Sequence, residues 1–587
     1  MQSRPQDALA DFTQDTRVLV LALMAVVIGV MSALVAAALV WLINLFTNLA
    51  FFGVLSGVFR SPAENHLGAW VILVPAAGGL VIGLMARFGS EKIRGHGIPE
   101  ALEAILYGRS RMEPRVAVLK PVSSALSIGT GGPFGAEGPI IMTGGAFGSL
   151  FAQLFHLSSA ERRALLVAGA AGGMSAIFAT PVAAVLLAVE LLLFEWKPRS
   201  FIPVAVSSVV AGMLRVPLLG GGPIFPMAPH DAPSAGIMTA ALAVGVAAGA
   251  GSTLLTMLVY GFEDLFGKLP LHWMWWPVIG GLGVGIGAWF DPRILGVGYD
   301  VIRSLLRGEL VGRVVLALLI GKALVWSFSL GSGTSGGVLA PLLIIGGALG
   351  ALEAQWIPVG DTGLWALVGM AAMMGGTMRS PLTAIMFAFE LTHEVNLLPP
   401  LLVSCIAAHA FTVLVLRRSI LTEKVARRGY HITREYSVDP FESLRVEDVM
   451  DPEIQSVLPG MSVRDLSERI EAGDPAVTRH HALPIVDAEG KLRGIITRGD
   501  VLRALEQDGE ETVLEAGTND LVVAYPDEIL RDAAQRMLRS DVGRLPVVSR
   551  DDPRSVRGYL GRASVLSALR QRMMEEHERE SGWRGNA

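Results

Sequence analysis

The chain has 587 residues, of which 52% are hydrophobic and only 17% charged, with a formal net charge of −5. That length holds several domains, and the apolar share exceeds what an average soluble protein carries. The near-neutral balance speaks against nucleic acid as a partner, and a single cysteine, Cys405, excludes an intrachain disulfide.

Residues 1–16 are polar and lack the charged, apolar and small-residue order of a cleavable signal peptide. From residue 17 to about 416, long apolar stretches alternate with short polar joints. Residues 17–50 carry almost no charge and 69–86 none, and further stretches run at about 201–217, 235–259, 274–289, 311–328, 338–357, 363–377 and 397–416. Several exceed the roughly 18–20 residues that cross a hydrocarbon core of about 30 Å. The first is nearer 50 Å at about 1.5 Å per residue, so it must tilt or end in the interface. Pieces broken by Gly and Pro, at 138–152, 181–195 and 381–391, suit half-helices that start or stop within the membrane. The reading is a polytopic membrane domain over 17–425, a linker over 426–442 and a charged soluble region beyond it. The joints KIR (92–94), RSR (109–111), RR (162–163) and KPR (197–199) cannot all face one side of a simple up-and-down topology. Orientation is therefore taken from the soluble region, expected in the cytosol with both termini.

The membrane domain repeats itself. Shifted by 202 positions, GTGGPFGAEGPIIMTGGAFGS (129–149) meets GSGTSGGVLAPLLIIGGALGA (331–351), with Lys120 on Lys322, Gly135 on Gly337 and Pro139 on Pro341. At a shift of 200, ATPVAAVLLAVEL (179–191) meets RSPLTAIMFAFEL (379–391), with Pro181 on Pro381 and Glu190 on Glu390. At 201, the paired glycines of GHGIPEALEAIL (95–106) meet those of GVGYDVIRSLL (296–306). The halves span about 17–217 and 235–418. Duplicated membrane halves with Gly- and Pro-interrupted segments at matching places mark a transport pathway at the repeat interface. Gly-rich backbone at membrane depth must face protein or a water-filled cavity. A helix that starts there aims unpaired N–H groups inward and favours an anion. Such starts fall at Pro99, at Gly138–Pro139 and at Ala340–Pro341, and at the second of them stands a lone carboxylate, Glu137. Glycine serving only close helix packing accounts for GGAFG and GGALG, but not for an acid at a helix start.

At these residues the sequence resembles the CLC family of chloride channels and chloride/proton exchangers. GHGIP (95–99) is similar to the family's GSGIP, GAEGP (135–139) to its GREGP or GKEGP, and GVLAP (337–341) to its GxFxP. The resemblance covers about residues 17–425. It implies an all-α membrane domain of two inverted repeats with broken helices, a homodimer with one anion pathway per subunit, and a bacterial plasma membrane as its place. It further implies that Glu137 is the gate, filling the anion pathway when ionised and admitting the ion when protonated or swung aside. Backbone at Gly135, Ala136 and Gly138 is then expected to line an outer anion site. The N–H groups of Val338 and Leu339 are expected to serve a central one, with His96 and Gly97 beside it.

Four departures from the family pattern matter. His96 replaces the coordinating serine. SILTEKV (419–425) puts Leu421 where the family has a tyrosine, so the centre leans on backbone amides and on His96, whose protonation is expected to raise conduction at acidic pH. Leu191 occupies the place of the internal proton-carrying glutamate of coupled members, with Glu195 one turn on as a possible substitute and Glu190 given a structural role. Ala136 replaces an Arg or Lys and removes positive potential at the outer mouth.

From residue 443 a second repeat appears, at shifts of 62–67: ALPIVD (482–487) aligns with RLPVVS (544–549), and GIITRGDVL (494–502) with GYLGRASVL (558–566). Each unit reads as helix, strand, helix, strand, strand, helix. This resembles a soluble α/β tandem pair of CBS domains, at 443–508 and 509–575, followed by a frayed tail over 576–587. In such pairs a threonine and an aspartate hold adenine nucleotides such as ATP or AMP. Thr497 and Asp500 fit that pattern, and Gly561 and Ser564 of the second unit do not; pairing without a ligand is the alternative.

The favoured function is chloride transport, channel-like because of Leu191. A chloride/proton exchanger with another proton route and a fluoride exporter are the alternatives. CBS-bearing cation carriers would need acidic clusters in the membrane, where this chain offers only Glu137, Glu190, Glu195 and Glu390. No enzyme, catalytic residue, metal site or required cofactor is expected, since GGMSA and GSGTSGG lack a placed base or P-loop lysine.

Overall fold

The computed structural model describes residues 16–193, 195–430, 432, 444–478, 481–507 and 509–577. The polar N-terminus up to residue 15, most of the expected linker and the last ten residues of the expected tail lie outside the described residues. The chain divides after Ile432 into two units.

The first unit is helical. Its elements are α1 (Arg17–Phe52), α2 (Leu73–Phe88), α3 (Ile98–Leu106), α4 (Pro114–Gly129), α5 (Glu137–Ala152), α6 (Ser159–Phe178), α7 (Pro181–Leu187) and α8 (Pro198–Leu219). They are followed by α9 (Ala235–Gly267), α10 (Trp276–Phe290), α11 (Tyr299–Leu306), α12 (Arg313–Gly331), α13 (Leu339–Glu353), α14 (Thr362–Met378), α15 (Pro381–Thr392), α16 (Leu398–Val415) and α17 (Ile420–Arg427). Six segments among the described residues are long and apolar enough to cross a membrane: Arg17–Phe52, Gly68–Phe88, Pro198–Leu219, Ala235–Gly267, Arg313–Gly331 and Val395–Arg427. The exposed apolar side chains on them, such as Leu23, Leu34, Met213, Leu254 and Val413, face a hydrocarbon solvent rather than water.

The two halves meet through equivalent residues. Gly135 and Gly337 form an antiparallel bridge, so the equivalent loops run past each other in opposite directions. A Cβ on Gly79 of α2 would overlap the carbonyl of Pro277, and one on Gly281 of α10 the carbonyl of Pro75. Lys120 donates to the carbonyls of Ile93 and Gly95 at 2.8 and 2.7 Å, and Lys322 to those of Ile294 and Gly296 at 2.8 and 3.2 Å. Such reciprocal pairing is what a local two-fold relation between repeats produces, and it sets the glycine loops face to face. In each half a proline opens a helix after a residue in left-handed conformation: Ala179 (φ 56°) before α7 and Arg379 (φ 57°) before α15.

The second unit holds two α/β repeats, each with a small core of its own. The first contains α18 (Val463–Glu471), α19 (Pro475–Thr478), the antiparallel pair β1 (Ala482–Val486) and β2 (Leu492–Thr497), and α20 (Arg498–Leu505). The second contains α21 (Val513–Ala516), α22 (Leu530–Arg539), the pair β3 (Arg544–Val548) and β4 (Val556–Gly561), and α23 (Arg562–His577). The first strand expected in each repeat is reduced to one residue: Val457 bridges Ile485, and Ala524 bridges Val547, both in parallel. Proline at 459 and at 526 explains the shortness, since it cannot donate to a ladder.

Candidate functional site

The Gly135–Gly337 bridge consists of two hydrogen bonds, Gly135 N–H to the Gly337 carbonyl at 3.3 Å and Gly337 N–H to the Gly135 carbonyl at 2.8 Å. It brings the starts of α5 and α13 together. Glu137 opens α5, and its side chain is fully buried. Its carboxylate crosses to the other half, where Oε1 accepts from the N–H of Leu339 and, at 3.3 Å, from that of Ala340. Among the described residues Oε2 has no hydrogen-bond partner. A side chain at either glycine would meet this arrangement. A Cβ on Gly135 would overlap Glu137 Oε2, and one on Gly337 would lie 2.6 Å from the Gly135 carbonyl and 2.7 Å from Glu137 Oε1.

The donors on the carboxylate are the first two residues of α13, Leu339 and Ala340. Val338, expected with Leu339 to serve an anion, is the N-cap of α13, with φ −110° and ψ −24°. Free N–H groups belong to the first turn of a helix, so the carboxylate meets Leu339 and Ala340 where α13 begins. The Gly135 N–H is bonded to the Gly337 carbonyl. Ala136 and Gly138 stand at the start of α5, both buried. Glu137 thus occupies a helix N-terminus that any small anion would also fit.

His96 and Gly97 precede α3. Gly97 has φ 88° and caps it, and a Cβ on Gly97 would meet the Gly138 carbonyl at 3.1 Å and Met142 Cβ at 3.3 Å. His96 is 3% exposed, its carbonyl abuts Gly138, and its Nδ1 has no hydrogen-bond partner among the described residues. The α3 start therefore packs against the α5 start, and His96 lies close to the Glu137 loop. Beside it opens a cavity of about 640 Å³ that includes Arg94, Glu100, Met142, Gly333, Lys424 and Arg428 in its wall. Arg428 donates to Glu100 Oε1 at 2.7 Å and to Glu103 Oε2 at 2.5 Å, tying the end of α17 to α3. Leu421 of α17 is buried and packs in the apolar core.

Leu191 is also fully buried, within a turn of wider helix over Ala188–Leu193. Its neighbour Glu190 accepts from Leu382 N–H at 3.1 Å, Thr383 N–H at 2.8 Å and the Thr383 hydroxyl at 2.7 Å, at the start of α15. Glu390 returns the arrangement, accepting from Val182 and Ala183 N–H at 2.9 and 2.8 Å at the start of α7. Glu195, in the joint before α8, accepts from the Ser200 hydroxyl at 2.5 Å and pairs with Lys197 at 3.2 Å and Arg199 at 3.7 Å. Burial acts to raise its carboxyl, but Ser200, Lys197, Arg199 and Arg163 outweigh it and hold the group below the usual carboxylate range.

In the second unit Thr497 and Asp500 do come together, as a capping box on α20. Thr497 N–H and hydroxyl donate to Asp500 Oδ2 at 2.8 and 2.6 Å, and Asp500 N–H donates to the Thr497 hydroxyl at 3.2 Å. Arg503 takes the other carboxylate oxygen at 2.5 Å. The cleft beside Thr497, lined by Leu466, Ile470, His481 and Arg498, measures about 10 Å³ and admits no nucleobase as it stands. Among the described residues no group of His, Cys, Asp and Glu side chains is placed to hold a metal ion.

Comparison with known proteins gives a coherent picture. A family model described as voltage gated chloride channel matches residues 78–413, and one described as CBS domain matches 446–507 and 513–571. A voltage-gated ClC-type chloride channel ClcB of Escherichia coli is 31% identical over 423 residues, covering 69% of this chain and 99% of its own. An H(+)/Cl(-) exchange transporter ClcA of Vibrio cholerae is 29% identical over 362 residues, covering 59% and 76%. Among solved structures, a slow cyanobacterial Cl-/H+ antiporter superposes with a TM-score of 0.63 at 22% identity, over 71% of this chain and 99% of that one, which speaks to the fold alone.

Proposed function

Because this chain belongs to the CLC family of voltage-gated chloride channels, whose members carry anions across membranes, we propose that it passes chloride through a pathway closed and opened by Glu137. The observation that carries this reading is the Glu137 carboxylate on the N–H groups of Leu339 and Ala340. A carboxylate and a chloride ion ask for the same donors, so the two compete, and the side chain must leave before an ion can enter. Protonation removes the charge that holds it there, which couples flux to pH. Leu191, apolar and buried, favours a channel over a coupled exchanger.

A second reading, chloride/proton exchange, has one observation in its favour. Glu137 Oε2 is buried without a donor among the described residues, so one oxygen of the carboxyl is left open for a proton. Chloride efflux from proteoliposomes with simultaneous pH recording separates the two. Uphill proton movement in fixed proportion to chloride means exchange; chloride without protons means a channel. In either case Glu137→Ala is expected to make flux nearly independent of pH, and unchanged pH dependence would sink the gate.

The tail is proposed to take an adenine nucleotide only when the cleft beside Thr497 opens, which calorimetric titration with AMP and ATP tests. A homodimer in a bacterial plasma membrane, with the tail cytosolic, completes the reading; cross-linking and protease accessibility in right-side-out and inverted vesicles check it.

A further inference from the structure

Two lysines meet Gly95, and they differ in one respect. Lys120 is fully buried and satisfied, with its ammonium donating to the Ile93 carbonyl at 2.8 Å, the Gly95 carbonyl at 2.7 Å and the Ser335 hydroxyl at 3.0 Å. Lys424 reaches the same glycine from α17, and a Cβ on Gly95 would stand too close to its Nζ. Its side chain is 17% exposed, yet among the described residues the ammonium makes no hydrogen bond. The nearest acidic oxygen is Glu100 Oε1, at 3.9 Å, which already accepts from Arg428 at 2.7 Å. The Lys424 side chain is mostly covered while its ammonium faces the cavity with no hydrogen-bond acceptor among the described residues, so its donors are free for a group that enters there.

The position of Lys424 says which acceptor. It lines the 640 Å³ cavity together with Met142, and Met142 touches Gly97 at the α3 start. It stands three residues after Leu421, on the same face of α17. Neither His96 nor Leu421 offers a hydroxyl to an anion here. Gly95 has φ 76°, and since no Cβ is present the ammonium approaches its backbone directly.

We propose that Lys424 is an anion-binding residue: at the cavity end of the pathway, beside Gly95 and His96, its ammonium donates to the permeating anion and takes the place of hydroxyl donors. This rests on the anion-pathway reading above. A lysine suits the task because it is a compact charge on a flexible stem and can follow an ion rather than fix it. Glu100, close but beyond hydrogen-bonding distance, offsets part of the charge, so the ion is also able to leave.

The test is calorimetric chloride titration of the purified full chain in detergent against an isethionate background, for wild type, Lys424→Arg and Lys424→Met. Lys424→Met is expected to bind chloride about tenfold or more weakly, the usual weight of a charge-assisted hydrogen bond, and Lys424→Arg within about threefold of wild type. Wild-type affinity in Lys424→Met overturns the proposal. A second measurement needs no variant: a neutral amine-acylating reagent, read by mass spectrometry, should modify Lys424 more slowly in chloride than in isethionate, with Lys268, exposed and outside the cavity wall, unaffected. Equal rates at Lys424 overturn the proposal even if Lys424→Met fails to fold. A wild type that binds no chloride overturns the pathway reading and this one with it. Loss of pH dependence in Glu137→Ala alongside unaltered affinity in Lys424→Met overturns Lys424 alone.

Discussion

Gly135 and Gly337, equivalent residues of the two repeats, exchange both backbone hydrogen bonds, and the Glu137 side chain lies across the pair. The bridge holds the two helix starts at a spacing that one carboxylate can span. Each glycine is needed for a different reason, and the difference is measurable.

The nearest obstacle to a methyl on Gly135 is the far end of the Glu137 side chain, which can swing away. A methyl on Gly337 would press on the Gly135 carbonyl at 2.6 Å, which is backbone and cannot. Gly135→Ala is therefore expected to yield a folded protein with Glu137 displaced, its flux resembling that of Glu137→Ala. Gly337→Ala is expected to lose about 1–3 kcal/mol of stability, as overpacked sites do. Thermal unfolding in detergent and efflux at two pH values decide it, and equal behaviour of the two variants would contradict the geometry.

Much of this is legible in the residues, and the limits have physical causes. The glycines and prolines that match across the repeat are fixed by backbone geometry, so Gly135 pairs with Gly337 and Pro181 with Pro381 from the amino-acid sequence alone. Which amides of a helix start face the carboxylate depends on where helical dihedrals begin, so the donation of Leu339 and Ala340 to Glu137 is not legible in the residues. Lys424 carries a faint signal, a lysine three residues past Leu421 in SILTEKV, but its approach to Gly95 depends on how α17 packs against α3. The capping role of Asp500 is written in the TRGD spacing, yet the same two residue types also suit a ribose, and only the closed cleft separates the two roles.

Glu190 and Glu390 each accept from the first N–H groups of a helix in the opposite repeat. A carboxyl oxygen that accepts from the free N–H groups of a helix start is worth roughly 1–3 kcal/mol. Glu190→Gln and Glu390→Gln are each expected to lower stability by that order, with the pH dependence of chloride flux unchanged. A proton-coupling defect in Glu190→Gln at normal stability would instead give Glu190 a transport role.

Glu195 is the substitute proton carrier that the sequence offers, and its surroundings argue against that part. Ser200, Lys197 and Arg199 keep it ionised through the range in which transport is assayed. Glu195→Gln should leave flux and any proton movement unaltered between about pH 5 and 8. The stabilisation of a carboxyl held low is fully present above its unfolded value, near 4.3, and is lost as pH falls through the lower folded value. The stability gap between wild type and Glu195→Gln should therefore be present at neutral pH and close in acid. A gap that widens in acid would mean that the carboxyl is not held low.

The soluble unit carries the same sign at several places. Asp474 is held below its ordinary value first by the N–H of Ala476 and then by Arg469, and Asp487 first by the N–H of Lys491 and then by Arg493. Asp552 is held down by the Lys491 ammonium and the N–H of Arg554. All three are surface groups, so each contribution is small and screened by salt. Their joint contribution is complete above about pH 4 and is lost progressively below it. Amides of β1–β4 in the full chain, incubated at neutral or acidic pH and then pulse-labelled with deuterium at neutral pH, should stay protected down to about pH 4 and lose protection as the incubation grows more acidic. Asp487→Asn should flatten that loss by removing one of the titrating groups. Protection that rises as pH falls would mean that repulsion among the carboxylates outweighs the hydrogen bonds that hold them low.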